Sequence, residues 1–275
     1  MHNKVGISSF ALRYALSAST PLSPTGLLDK AAALGAEVVQ ICDNLPLAPL
    51  SNGELDALAQ RAADLDLELE VGTRGSGPER LERYFAVAQR LGARLLRVVL
   101  SNAEEGRTIE QERAVLRGLL PRLDQAGITL ALENRFRLLP DQMAALITSL
   151  EAPNVGACLD PLNSISRLAG PREVIRALAP LAVTVHVKDG TMTREGATWR
   201  LRGCPVGEGL LDVKELLAAV RANGRTPAGA DASGPNLLVE GWMEPLEIEA
   251  ATLAQEEEWT RRGIAYLQRL VRADE

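Results

Sequence analysis

The sequence predicts a (β/α)8 TIM barrel, an α/β fold, and three observations carry that prediction. Short runs of β-branched and apolar residues occur eight times, each followed by a longer stretch of helical periodicity. The units repeat at roughly 25 to 35 residues, with one longer interval before the last run, as strand and helix must when they alternate around a closed sheet. The 275 residues match the roughly 250 of such a barrel and can bury one large core.

The elements follow in order. Val5 to Ser8 is the first strand, and a helix from Pro24 to Leu34 follows, opened by its proline and ended at Gly35. Val38 to Cys42 precedes a helix over Asn52 to Leu65, and Leu67 to Val71 precedes one over Pro78 to Leu91. Leu95 to Leu100 leads to a helix over Ile109 to Ala126, and Thr129 to Glu133 to one over Pro140 to Leu150. Val155 to Asp160 is followed by a helix over Pro171 to Leu178, and Val183 to Lys188 by one over Val213 to Ala222. Pro78, Pro140 and Pro171 stand in the first helical turn, where a missing N–H costs nothing. Leu237 to Glu240 is the eighth strand. The last helix ends near Arg272, and its Glu256-Glu257-Glu258 before Arg269 and Arg272 complements the helix dipole. No linker interrupts the pattern, so residues 1–275 are expected to form one domain.

Composition narrows the function classes. A net charge of −6 and a pI of about 5.2 give no long-range attraction to phosphate backbones or anionic lipid, which argues against nucleic-acid and membrane partners. Met1-His2-Asn3-Lys4 enters the first strand without an apolar leader, and no apolar run reaches the roughly 18 residues of a membrane span, so a cytoplasmic protein is expected. Cys42, Cys158 and Cys204 are odd in number and far apart; they read as reduced thiols, the first two buried in strands.

Four side chains stand out. Glu133, Asp160, His186 and Glu240 close the fifth to eighth apolar runs, where loops begin. A charge at the end of an apolar strand is misplaced unless something pairs with it, and a divalent cation would pair with all four. Catalytic groups of such barrels sit at the C-terminal ends of strands, and strands five to eight are neighbours, so the four converge on one point.

At these residues the chain resembles the sugar phosphate isomerase/epimerase superfamily, the xylose isomerase-like TIM barrels that include keto-sugar epimerases, inosose dehydratases and AP endonucleases. The resemblance spans nearly the whole chain. It rests on Leu132-Glu133-Asn134, Leu159-Asp160, His186-Val187-Lys188-Asp189, Gly207-Glu208-Gly209 and Val239-Glu240. It implies that Glu133, Asp160, His186 and Glu240 ligate one divalent metal and that the two glutamates double as acid and base. Family epimerases carry a second histidine three residues after the aspartate, where this chain has Asn163. Its Asp-x-x-Asn-Ser form resembles a subgroup associated with decarboxylases of branched 3-oxo sugar acids such as 3-oxo-isoapionate. With only His2 and His186 in the chain, the histidine-rich three-metal cluster of an AP endonuclease is excluded.

A set of two glutamates, one aspartate and one histidine is hard and oxygen-rich, which suits Mn²⁺ first and then Mg²⁺ or Co²⁺. Such an ion stabilises the enediolate formed when a proton leaves a 2-hydroxy ketone, and the same enolate arises when a β-keto acid loses CO₂. The expected activity is therefore isomerisation or epimerisation of a keto sugar. A 3-oxo sugar acid decarboxylase is the second reading, and a catalytically silent sugar-binding barrel a third of another class.

Other residues bear on the substrate. Lys188 lies two positions past His186 on the same strand face, where it binds substrate or balances charge. Arg135 and Arg202 are candidates to clamp a carboxylate or phosphate. Asn163 either bonds a substrate hydroxyl or caps its own turn, and Gly207-Glu208-Gly209 is either a tight turn or a phosphate cradle, the turn being favoured. Phe10, Tyr14, Phe136, Trp199 and Trp242 follow strand ends and are expected to wall a sugar-sized pocket, Trp242 contacting substrate. The last helix and the acidic stretch after Pro245 offer either a homo-oligomer interface or a solvated face.

Overall fold

Each apolar run is short, β-branched and bounded by a helix end, so it can satisfy its backbone only by pairing with its neighbours. In the computed structural model, which describes residues 3–100, 107–225 and 234–273, eight such strands close into one parallel barrel. They are β1 (Val5–Ser8), β2 (Val38–Ile41), β3 (Glu68–Arg74), β4 (Leu95–Val99), β5 (Thr129–Glu133), β6 (Val155–Leu159), β7 (Ala182–Val187) and β10 (Asn236–Val239). Sequence neighbours pair all the way round, and β10 closes the ring between β7 and β1, with Leu237 opposite Val5 and Leu238 opposite His186.

The helices fall where the periodicity places them: α1 (Pro24–Ala33), α2 (Asn52–Asp64), α3 (Pro78–Arg90), α4 (Ile109–Gln125), α5 (Pro140–Ser149), α6 (Pro171–Leu178), α7 (Val213–Asn223) and α8 (Glu249–Ala273). Their starts are capped by local chemistry. Ser51 with Glu54, and Thr108 with Gln111, form reciprocal capping boxes, and Ser23 accepts from the Gly26 amide. Buried leucines and valines on the inner helix faces pack against the outward side chains of the strands as one continuous core. Among the described residues no helix is long and apolar enough to cross a membrane.

The long interval before the last strand holds an antiparallel hairpin that the sequence reading does not anticipate, β8 (Asp189–Glu195) and β9 (Thr198–Cys204), turning at Gly196 with φ of 63°. Its strands are largely solvent-exposed, so they lack the apolar run by which the other strands were recognised. Trp199 stands on this hairpin at 66% exposure, whereas Phe136, 52% exposed, lines a cavity with Glu133 and Arg135.

One glycine controls how closely the first two strands approach. A Cβ on Gly6 would lie 1.8 Å from the Val38 carbonyl oxygen, so any side chain must displace backbone. Gly53, in the first turn of α2, faces open space. In chemical denaturation Gly6→Ala is expected to cost about 3 kcal/mol or more. Gly53→Ala is expected to be neutral or stabilising by up to ~1 kcal/mol; equal effects would contradict the packing account.

Candidate active site

Because side chains alternate along a strand, residues two apart on β6, β7 and β10 line the barrel interior and its open end. Glu133 is the last residue of β5, Asp160 and Glu240 follow β6 and β10, and His186 and Lys188 lie on and just past β7. All five are buried, Glu240 being the most accessible at 8%. The four residues expected to form the site do come together. His186 Nδ1 lies 3.0 Å from Glu240 Oε2, 3.8 Å from Asp160 Oδ2 and 3.9 Å from Glu133 Oε2.

Each carboxylate is held by partners that leave one face toward this point. Asp160 Oδ1 accepts from the amides of Leu162 and Asn163, both at 3.0 Å, in an Asx turn that aims Oδ2 at the cluster. Asn134 clasps the end of β6 to the end of β5, donating to the Asp160 carbonyl and accepting from its amide, both at 2.8 Å. Glu133 is gripped on Oε2 by Arg97 and on Oε1 by Asn163 Nδ2 at 2.7 Å. Ser8 donates to Glu240 Oε2 at 3.0 Å.

Lys188 is the central cation. Its Nζ lies 2.6 Å from Asp160 Oδ2, 2.7 Å from Glu240 Oε1 and 3.0 Å from Asn163 Oδ1, and 4.5 Å from the Trp242 ring centroid. Asn163 therefore bridges Glu133 and Lys188 with its side chain while its amide completes the Asx turn. Its side chain thus neither caps its own turn nor is left free of the cluster, being engaged by Glu133, Lys188 and the Asn134 carbonyl.

The charges set one another's protonation. Burial opposes charge on Lys188, but the carboxylates of Asp160 and Glu240 outweigh it and hold the ammonium above the usual lysine range. Burial would raise Glu240, yet Lys188 and His186 keep it well below the usual carboxylate range; Arg97 and His186 do the same, less strongly, for Glu133. Burial lifts Asp160 in spite of Lys188. The imidazole of His186 is disfavoured as a cation by burial, but Glu240 and the other carboxylates raise it above its ordinary value.

The donor set fits a divalent ion. Asp160, His186 and Glu240 bring ligand atoms within 4.8 Å of one another, and Glu133 forms a second such group with His186 and Cys158. His186 Nδ1 is a buried nitrogen with no hydrogen-bond partner, facing three carboxylates. Cys158 is a poor ligand, since burial and the nearby Glu133 keep its thiol protonated.

Other expected site residues fare differently. Arg135 stands 4.0 Å from Glu133 Oε1, with its Nε buried and unpartnered. It lines a cavity beside Glu133 together with Arg74, Arg137, Val99, Leu100 and Met143. Arg202 is not brought to the cluster. It lies on β9, where it pairs with Glu195 at 3.1 Å and Glu244 at 3.6 Å, so nearness in sequence to the glycine loop does not make it a site clamp. Gly207-Glu208-Gly209 is a turn around a carboxylate of the protein itself: the amides of Gly207, Gly209 and Leu211 donate to Asp189 at 2.9 to 3.0 Å. A Cβ on Gly209 would meet Asp189 Oδ1 at 2.4 Å, so the glycine permits the grip and no phosphate is needed to explain it. His2 lies outside the described residues.

Arg97, Gln40 and Glu70 are site-supporting residues that the sequence reading missed. Arg97 and Gln40 are lone polar groups within apolar runs, the same signal that marks the strand-end residues, and Glu70 alternates with Glu68 about Leu69. Arg97, fully buried, also pairs with Asp43 at 2.8 Å.

Comparison with known proteins agrees with this fold. The family model described as xylose isomerase-like TIM barrel matches residues 28–270. The 3-oxo-isoapionate decarboxylase of Pectobacterium atrosepticum is 35% identical over 270 residues, covering 96% of this chain and 94% of that one. A crystal structure of D-psicose 3-epimerase in the presence of D-fructose has a TM-score of 0.71 at 17% identity, covering 98% of this chain and 99% of that one. A xylose isomerase-like TIM barrel protein from Mycobacterium smegmatis in complex with magnesium has a TM-score of 0.64 at 18% identity, covering 88% of each chain.

Removing Arg97 leaves Glu133 buried without its counter-charge. Arg97→Met is expected to cost ~3–5 kcal/mol at neutral pH by chemical denaturation. Because the folded pKa of Glu133 is lowered, its contribution is present above the ordinary carboxylate pKa and lost as pH falls through the lowered value. The penalty of the substitution therefore shrinks on acidification, and a penalty independent of pH would contradict the assignment.

Proposed function

The chain belongs to the xylose isomerase-like TIM barrel family, and from that premise we propose that it decarboxylates a 3-oxo sugar acid of the 3-oxo-isoapionate type. In this reading Glu133, Asp160, His186 and Glu240 hold one divalent cation, Mn²⁺ in preference to Mg²⁺ or Co²⁺. The observation that carries it is the full-length relation to an enzyme of that activity. The epimerases are far more distant and support the fold alone. Keto-sugar epimerisation at the same site is the second reading, favoured by two carboxylates, Glu133 and Glu240, that face one centre at 3.9 and 3.0 Å from His186 Nδ1.

When bound, the cation supplies positive charge where the oxo oxygen of the substrate becomes negative, worth several kcal/mol. The residues do the rest. The guanidinium groups of Arg135 and Arg74, lining the cavity beside Glu133, receive the substrate carboxylate. The C–C bond to that carboxylate breaks, its electron pair passes into the neighbouring carbon and oxo group to give an enolate, and neutral CO₂ forms against Val99, Leu100 and Met143. The enolate carbon then takes a proton. A solvent water supplies that proton, and Glu240, an ionised carboxylate 2.7 Å from the Lys188 ammonium, relays it to the carbon and ends as it began. Glu133, fixed between Arg97 and Asn163, stays ionised throughout. Trp242 over Lys188 limits the access of water to the pair.

Metal-stripped protein given 3-oxo sugar acids is expected to release no CO₂, and added Mn²⁺ to restore release. Solvent-deuterium exchange into free ketoses without CO₂ release would favour the epimerase, and sugar binding with neither would favour the silent barrel. Glu240→Gln is expected to lower CO₂ release ~10²–10⁴-fold and to randomise the stereochemistry of solvent deuterium at the product carbon. Unchanged turnover and stereochemistry would remove Glu240 from the mechanism.

A further inference from the structure

Below the carboxylate cluster the barrel interior holds a buried polar chain that the proposed reaction does not use. Gln40 on β2, Glu70 on β3, Thr184 and His186 on β7 and Asn236 on β10 are all buried. Glu70 Oε2 accepts from Gln40 Nε2 at 2.7 Å and from Thr184 Oγ1 at 3.0 Å, while Oε1 accepts from Asn236 Nδ2 at 2.8 Å. Burial raises the Glu70 carboxyl to about 7, and above that value a carboxylate met by three donors binds only the NH₂ side of the Gln40 amide, so the carbonyl of that amide points the other way.

There Gln40 Oε1 lies 2.7 Å from His186 Nε2, and Cys42 Sγ donates to the same oxygen at 3.1 Å. An amide oxygen can only accept, so Nε2 is a nitrogen that carries a proton. In the neutral imidazole Nδ1 then has the lone pair, and it is the nitrogen surrounded by Glu240, Asp160 and Glu133. Four strands of the barrel thus converge on the orientation of one imidazole.

We propose that Gln40, oriented by Glu70, is a positioning residue that locks His186 in the Nε2–H tautomer and so presents Nδ1 to a divalent cation. This rests on the metal reading of the cluster. A polar chain that only filled the barrel would leave the tautomer indifferent to Gln40.

The chain has two histidines, His2 and His186, so nitrogen-15 histidine NMR of the full-length protein resolves two imidazoles, and a His2→Ala variant assigns them. In metal-free protein at alkaline pH, His186 is expected to carry its proton on Nε2, and Mg²⁺ to shift the Nδ1 resonance. Gln40→Met, close in volume but without the amide acceptor, is expected to move the proton to Nδ1 and to weaken Mn²⁺ binding ~10–100-fold. Gln40→Glu, which keeps an acceptor, is expected to retain the Nε2–H form. An Nδ1–H tautomer in the wild-type chain overturns the proposal whatever the variants do. So does a Gln40→Met protein with unchanged tautomer and unchanged Mn²⁺ affinity. If the wild-type protein takes up no cation, the metal reading fails, and the tautomer of Gln40→Met still decides the role of Gln40 by itself.

Discussion

The rest of the structure depends on burying three carboxylates at one end of a barrel whose walls are apolar. Glu133, Asp160 and Glu240 point at a common centre from three strand ends, a placement that costs several kcal/mol per ion if left unbalanced. Lys188 and Arg97 are the balancing charges, with the His186 imidazole set among the acids, and each is as deeply buried as the groups it serves. The mutual pull raises the bases and lowers Glu133 and Glu240, while burial raises Asp160. A divalent cation would add what this balance still lacks in positive charge. The ammonium of Lys188 lies between Asp160 and Glu240 and is the nearest cation the chain itself provides to both.

Holding such a cluster requires rigid ends, and the chain builds them from short-range hydrogen bonds. The Asx turn at Asp160, the two-way clasp of Asn134 and the glycine loop wrapped on Asp189 each fix a strand end through backbone groups. The motif of His186, Lys188 and Asp189 followed by Gly207 and Gly209 is thereby one mechanical unit. Its first two residues face the site, and its aspartate ties down the loop that follows the hairpin. Glu256 does comparable work at the other end of the chain, its carboxylate accepting from the amides of Tyr14 and Ala15 and so seating α8 on the segment after β1.

Much of this was legible in the residues alone. The eight barrel strands and eight helices lie close to where β-branched runs and helix-opening prolines put them, because both signals are local. The four strand-end residues converge as expected, since a closed parallel sheet leaves strands five to eight no other arrangement. The β8–β9 hairpin was not legible, because its exposed strands carry charged residues such as Arg194 and Arg200 in place of an apolar run. Arg202 misled for a related reason: the hairpin turns it toward Glu195 and Glu244, and spacing along the chain cannot report that. Arg97 and Gln40 were present as lone polar residues inside apolar strands, and Glu70 as one of two glutamates in its strand. Their partners sit on other strands, and only the closed ring reveals which polar residue meets which.

The central claim is that these buried acids and one imidazole exist to grip a single cation. Its most direct measurement is the metal content of the chain, purified without chelators and titrated with Mn²⁺, against an Asp160→Asn control. One ion per wild-type chain, with binding weakened in the control, is the result this account requires. A wild-type chain that carries no stoichiometric ion and binds neither Mn²⁺, Mg²⁺ nor Co²⁺ would contradict it.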